Sequence, residues 1–262
     1  MRPFVFSWSR LSKSAKMLKE VLKADFSYPD KGTAPKAGQV VINWGSSYEP
    51  PWAWQVGRYI NKPSAVRNAV NKLRTFKLLQ QQGLPIPQFT TSIIDGLRWI
   101  REGGVVYART LLTAKRGDGC EVYHLKKRPQ EVTMEDLEDV KLFTKGFVST
   151  WEFKVHIING KVDHVIRVSK DEDYLQDPYI RNHDNGWTFY DEKRDLHPEI
   201  KRVCVASVAA LGLDFGVVDI GVGKGNGEMC IYEVNTAPGG EMEDARMYAR
   251  AICKEFGVQK GV

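Results

Sequence analysis

Two strand–turn–strand units in the C-terminal half constrain this chain more than any other feature. Glu152 to Ile158 and Lys161 to Val168 are strand-like runs separated by Asn159-Gly160. That dipeptide is a strong signal for a type I′ turn, because both of its residues tolerate positive φ. Gly216 to Val222 and Met229 to Glu233 flank a second turn, Gly223-Lys224-Gly225-Asn226-Gly227. Turns this short join only antiparallel neighbours, so the C-terminal half must contain an antiparallel sheet. Helical patterns at His197 to Leu211 and Glu241 to Glu255 supply layers to cover it.

The N-terminal half reads differently. Residues 3–8 form a strand, Lys13 to Lys23 a helix with Ala15, Leu18, Val21 and Leu22 on one side, and Val40 to Trp44 a second strand. Residues 25–38, rich in Pro, Gly, Asp and Lys, read as a loop. Together these suggest a reduced βαβ unit, with Ser7, Ser9, Gly45 and Ser46 at the carboxyl ends of its strands. Those four are as readily explained as ordinary turn residues. A helix spans 64–82 with Ser64 as N-cap and Gly83 as its stop, and Leu84-Pro85-Ile86-Pro87 then forces an extended chain. A short helix lies between Gly96 and Gly103. Val105 to Arg109 is a strand, and a glycine-containing turn, Arg116 to Cys120, precedes Glu121-Val122-Tyr123. Thr133 caps a helical turn that runs to Asp139, and residues 170–195 are polar, aromatic and irregular.

Composition narrows the class. In 262 residues no apolar run reaches membrane-spanning length, and the N-terminus has no long apolar targeting segment, so a cytoplasmic protein without a membrane role is expected. Cys120, Cys204, Cys230 and Cys253 lack metal-type spacing and read as reduced structural thiols. The net charge of +6 is uneven: residues 1–94 hold 14 Lys/Arg against 4 Asp/Glu, a charge of +10. A basic first third suits an anionic partner, an acidic or phosphorylated acceptor or nucleic acid, or it is a solvated surface.

The chemistry concentrates at Val217-Val218-Asp219-Ile220-Gly221 and Ile231-Tyr232-Glu233-Val234-Asn235. Alternation puts Glu233 and Asn235 on one face of their strand, and the hairpin brings Asp219 beside them. Two carboxylates and an amide oxygen form a hard, all-oxygen set of the kind Mg²⁺ takes when it also holds nucleotide phosphates. The bland alternative is a hairpin with a wet polar face. The following turn, Thr236-Ala237-Pro238-Gly239-Gly240, favours the metal reading, since small residues let backbone approach a ligand and the next helix offers its N-terminus.

From about Pro63 to Phe256 the chain resembles the ATP-grasp superfamily, and within it the small ligases that add amino acids or peptides to an acceptor. The elements that carry the resemblance run in order. Asn71-Lys72-Leu73 leads into Gly83-Leu84-Pro85-Ile86-Pro87, and Val105 to Arg109 leads into Gly117-Asp118-Gly119. Trp151-Glu152-Phe153-Lys154-Val155 opens the Asn159-Gly160 hairpin, Val165-Ile166-Arg167 follows, and Asp219 with Glu233-x-Asn235 closes the series. The resemblance implies an α/β (α+β) architecture in which two α+β subdomains, 63–140 and 141–262, clasp ATP behind a short truncated βαβ lobe at 1–62. It implies Mg²⁺, two ions with Mn²⁺ as a substitute, on Asp219, Glu233 and Asn235. Lys72 would contact the phosphates, together with Arg109, which stands where a lysine is usual, or with Lys115 or Arg116 from the loop holding Gly117 and Gly119. Backbone at Thr144 and Lys145, beside Phe147, would meet the adenine. Glu152 would face the ribose or base, and Lys154 stands at an arginine position. Asn182 would contact phosphate or substrate, and Arg167 would stabilise the phosphoryl group in transfer.

The activity implied is an ATP-dependent carboxylate–amine ligation through an acyl-phosphate, with small-molecule or peptide substrates and a possible homo-oligomeric state. A kinase-like phosphotransferase using the same site and a non-catalytic nucleotide- or nucleic-acid-binding module are the competing readings. The N-terminal lobe is short for such a ligase.

Overall fold

The computed structural model describes residues 1–113, 118–124, 129–170, 186–192, 195–224 and 227–261. Three sheets follow one another along the chain. The first holds β1 (Phe4–Ser7), β2 (Asp25–Ser27), β3 (Val40–Trp44) and β4 (Arg58–Ile60), all parallel in the order β2-β1-β3-β4. Helix α1 (Lys13–Leu22) crosses from β1 to β2, begins at Ser12, whose side chain accepts from the Ala15 amide, and buries Ala15, Leu18 and Leu22. Strand β2 lies inside the stretch expected to be loop. Its three residues carry little apolar signal, and they become a strand because β1 offers a parallel partner from Phe4 to Phe6.

The helix expected over 64–82 is two helices. α2 (Pro63–Val70) starts on Pro63 behind Lys62, so Ser64 is not the cap, and α3 (Lys72–Gln81) starts afresh after Asn71. Asn71 leaves the helical region with ψ 107° and turns its side chain to accept from the Arg74 amide. Thr75 Oγ1 then donates toward the carbonyls of Asn68 and Ala69, which the break strands, and toward that of Asn71, which also accepts from the Thr75 amide. The break puts Lys72 in the first turn of a helix, and its amide donates to Leu112 O at 2.9 Å.

A small antiparallel sheet follows, with β5 (Phe89–Thr90), β6 (Val106–Arg109), β7 (Cys120–Tyr123) and β8 (Leu142–Lys145) in the order β5-β8-β6-β7. α4 (Ile93–Arg101) lies on it so closely that a Cβ on Gly96 would come within 2.6 Å of the Phe143 ring. The large sheet is antiparallel: β9 (Trp151–Ile158), β10 (Lys161–Lys170), β11 (Trp187–Asp191), β12 (Phe215–Val222) and β13 (Met229–Asn235), in the order β11-β10-β9-β12-β13. Asn159 and Gly160 both have positive φ, 50° and 71°, as the turn between β9 and β10 requires.

One face of the large sheet, with Phe153, Val155, Val218 and Ile220, packs on α5 (Pro198–Ala210) and on Ala65, Val66 and Ala69 of α2. Ala65, Val66 and Ala69, in a stretch grouped with the small lobe by sequence, thus pack into the core of the large sheet. On the other face Phe215 and Val217 join Trp44, Tyr248 and Ile252 in the core shared by α6 (Met242–Phe256) and the first sheet. The joint between the first and large sheets is Asn61, fully buried at φ 58°. Its Oδ1 accepts from the amides of Asp214 and Phe215, its Nδ2 donates to Phe215 O, and its own amide donates to Asp214 Oδ2. Each of these buried groups would otherwise lose its water without replacement. Among the described residues no helix is long and apolar enough to cross a membrane.

His156 sits in the shared core, 3% exposed, with Nδ1 2.7 Å from Tyr248 Oη and its ring 3.6 Å from that of His164. Burial, then the neighbouring His164 and Lys154, hold its pKa down to about 2, from an ordinary 6.5. Below about 6.5 the unfolded chain binds a proton that the folded chain refuses, so stability is full above that pH and falls on acidification. Denaturant midpoints at pH 7.5 and 5.5 should show a loss of about 1 kcal/mol that His156→Gln lacks. Equal losses in both proteins would contradict this origin.

Candidate active site

The core-facing alternation of β9 and β12 leaves their other residues for the opposite face. Glu152 and Lys154 on β9 stand across from Gly221 and Asp219 on β12, and Asp219 stands across from Glu233 on β13. A bulge between Asp219 and Ile220 gives β13 one extra residue, Tyr232. The extra residue lets Ile231 and Val234 both face the core while Tyr232 reaches the polar face, where its Oη lies 3.4 Å from Glu152 Oε1. Gly221 makes room for the ring: a Cβ there would meet Tyr232 Oη at 2.1 Å.

Lysines neutralise both carboxylates. Lys154 Nζ donates to Asp219 Oδ2 at 2.5 Å, and Lys72 Nζ donates to Glu233 Oε2. Asn235 Nδ2 donates to Glu233 Oε1 at 2.5 Å. Asp219 Oδ1 is buried and has no hydrogen-bond partner among the described residues. The Lys72 charge beside Glu233, helped by the hydrogen bonds from Lys72 and Asn235, holds that carboxyl down to about 2 against the opposing effect of burial. Burial, reinforced by the Glu233 charge, pushes Asp219 up despite Lys154. Burial works against charge on Lys154, but Asp219, Glu233 and Glu152 outweigh it and its pKa rises. Carboxylates this close, pulled in opposite directions by their lysine partners and by burial, make this cluster a candidate functional site.

The remaining predicted residues divide. Arg109 lies on the small sheet beside Cys120, its cross-strand partner, whose thiol is pushed up by burial while the nearby Arg109 and Lys72 cations act the other way. Arg109 Nε is buried without a hydrogen-bond partner among the described residues. Phe147 lies by the cluster, its ring 6.5 Å from that of Tyr232. Glu152 is 7% exposed and accepts from Ser149 Oγ at 2.5 Å. Gly119 closes the base of the glycine turn through the Thr110 amide, which donates to its carbonyl at 2.8 Å. Lys115, Arg116, Gly117 and Asn182 lie outside the described residues.

Two expectations need correction. Arg167 pairs with Phe153 across β9 and β10, so it emerges on the core side of the sheet, opposite to Asp219. There its guanidinium stacks over Trp151 at 4.2 Å and near Tyr190 at 5.8 Å. Strand parity, invisible in a motif, separates it from the phosphoryl-transfer role. Thr144 and Lys145 sit within the small sheet, where the Lys145 amide donates to Gln88 O and the next amide, at Gly146, donates to Val105 O. Segment 147–149 follows on toward β9, with Val148 90% exposed. Sequence reasoning missed Tyr232 and Ser149. The signal for Tyr232 was a β-bulge, which no short motif announces.

Among the described residues no group of three His, Cys, Asp or Glu gathers as a metal site. Asp219 and Glu233 reach the count of a hard-cation site only with the Asn235 amide oxygen and ligands from a nucleotide, the arrangement Mg²⁺ accepts. The bare, buried Asp219 Oδ1 fits that use.

Sequence comparison finds no matching family model and no matching curated protein. The ATP-grasp ligase PsnB complexed with a minimal precursor superposes with a TM-score of 0.69 at 16% identity, over 97% of this chain and 100% of that one. D-alanine–D-alanine ligase from Bacillus anthracis complexed with ATP gives 0.68 at 15% identity, over 98% and 97%. The macrocyclase MdnC from Microcystis aeruginosa, bound with its precursor peptide MdnA, gives 0.61 at 14% identity, over 96% and 99%. These likenesses establish the fold: the chain has the ATP-grasp architecture over nearly its whole length.

Because Gly221 and Tyr232 are fitted to each other, Gly221→Ala should cost about 1–3 kcal/mol by overpacking. Tyr232→Leu in the same chain should recover at least about 1 kcal/mol of it in a double-mutant cycle of unfolding free energies. Strict additivity would show that the two do not meet.

Proposed function

We propose that this protein is an ATP-dependent ligase that joins a carboxylate to an amine through an acyl-phosphate. The observation that carries the reading is the single polar face on which Asp219, Glu233 and Asn235 meet Lys72 and Lys154.

Phosphoryl transfer asks a protein mainly to position its reactants and neutralise oxygen charge. Asp219, Glu233 and Asn235 would hold Mg²⁺, which when bound offsets the charge on the β and γ phosphate oxygens. Lys72, at the first turn of α3, and Arg109, on β6, would contact the phosphates. Lys154 takes the part the sequence assigned to Arg167: it is the cation nearest Asp219 and can swing on its flexible stem to a phosphate oxygen. Phe147 and Tyr232 would flank the base beside the 147–149 segment, and Glu152, oriented by Ser149, would accept from the ribose or base. The substrate carboxylate would attack the γ-phosphorus, ADP would leave, and the amine would then displace phosphate to give the amide.

The similar ligases complexed with precursor peptides, together with the basic first third of this chain, favour a peptide or acidic acceptor. The protein should release ADP when given ATP, Mg²⁺ and a pool of amino acids or short peptides, with a product lighter by one water than its two reactants. Asp219→Ala should lower that rate by at least about a hundredfold with the fold retained. A product heavier by a phosphoryl group would instead identify a phosphotransferase, and undiminished turnover in Asp219→Ala would remove the cluster from the mechanism.

A further inference from the structure

The arrangement of the carboxylate oxygens bears on how the metal arrives. Asp219 Oδ2 is held by Lys154, Glu233 Oε2 by Lys72 and Glu233 Oε1 by Asn235, which leaves Asp219 Oδ1. A divalent cation approaching that oxygen would face two ammonium groups already seated on the same carboxylates. We propose that Lys72 and Lys154 are place-holders: in the free protein they exclude a lone divalent cation, and metal enters only together with a nucleotide whose phosphates draw both lysines away. The proposal rests on the ligase reading above.

Three features support it. Both lysines are largely covered, with side chains 15% and 28% exposed, so solvent screens their charge only weakly. Each sits on a long flexible stem, so the ammonium can leave a carboxylate for a phosphate oxygen without backbone movement. They also approach from different elements, α3 and β9, so a polyphosphate lying along the face can collect both at once. An anion that removes two cations from a metal site makes room for positive charge. Metal and nucleotide affinities are then coupled, and linkage requires the coupling to be equal in both directions.

The test is Mn²⁺ binding, followed by the electron paramagnetic resonance of the free ion, with and without ADP. Wild-type protein should bind Mn²⁺ at least about tenfold more tightly with ADP than without it. Lys154→Met should bind Mn²⁺ alone at least about tenfold more tightly than wild type, with a weaker effect of ADP, while Lys154→Arg keeps the exclusion. Lys161→Met, which removes a lysine paired with Glu255 elsewhere on the sheet, should change nothing. Circular dichroism reports folding, and Lys72→Met gives the same comparison where Lys154→Met does not fold. Equal Mn²⁺ affinity of wild type and the lysine variants without ADP would overturn the place-holder role while leaving the ligase reading intact. Absence of Mn²⁺ binding with ADP in every protein would remove the metal site, and both proposals with it.

Discussion

The pairing of Asp219 with Glu233 across β12 and β13 is the constraint on which the rest of the site depends. Two carboxylates on one partly dry face repel each other, and the fold must neutralise them to keep β13 in register. Lysines from two directions do so. Lys154 comes from the neighbouring strand, so the sheet supplies it directly. Lys72 comes from a helix, and it reaches Glu233 only because the chain breaks at Asn71 and restarts there. The same break ties the Lys72 amide to Leu112, so the helix that serves the large sheet also anchors the end of a small-sheet strand. One electrostatic need thus links the large sheet, the α2–α3 corner and the small sheet.

The bulge at Tyr232 is the second consequence of that register. By inserting one residue it keeps the apolar side of β13 in the core and adds an aromatic ring to the polar side. Below the cluster the same sheet face turns apolar, and Val217, Phe215 and His156 seat α6 and the first sheet. Asn61 fixes that seat through four hydrogen bonds, so the N-terminal lobe, although short, is held to the side of the large sheet that carries Asp219 and Lys154.

Much of this was legible in the sequence because it depends on local rules. The Asn159-Gly160 turn fixes its hairpin by backbone conformation alone, and parity along Glu233-x-Asn235 fixes a shared face. What was not legible depends on partners distant in the chain. Asp25 to Ser27 is a strand only because β1 lies beside it, and Asn61 looks like any turn residue until Asp214 arrives. Arg167 shows the limit most clearly. Its position in the motif order suggested the phosphate side, but the register of β10 on β9 puts it with Trp151 on the other face. A motif records order, whereas a sheet assigns sides by parity counted from a partner strand.

A nucleotide-dependent divalent cation on Asp219, Glu233 and Asn235 is the centre of the proposed site. The most direct measurement is an anomalous difference map from crystals grown with Mn²⁺ and ADP. A peak is expected within coordination distance, about 2–2.5 Å, of oxygens from these three side chains, with Lys72 and Lys154 moved onto phosphate oxygens. A nucleotide bound elsewhere, or manganese absent from that face while both lysines stay on their carboxylates, would contradict it.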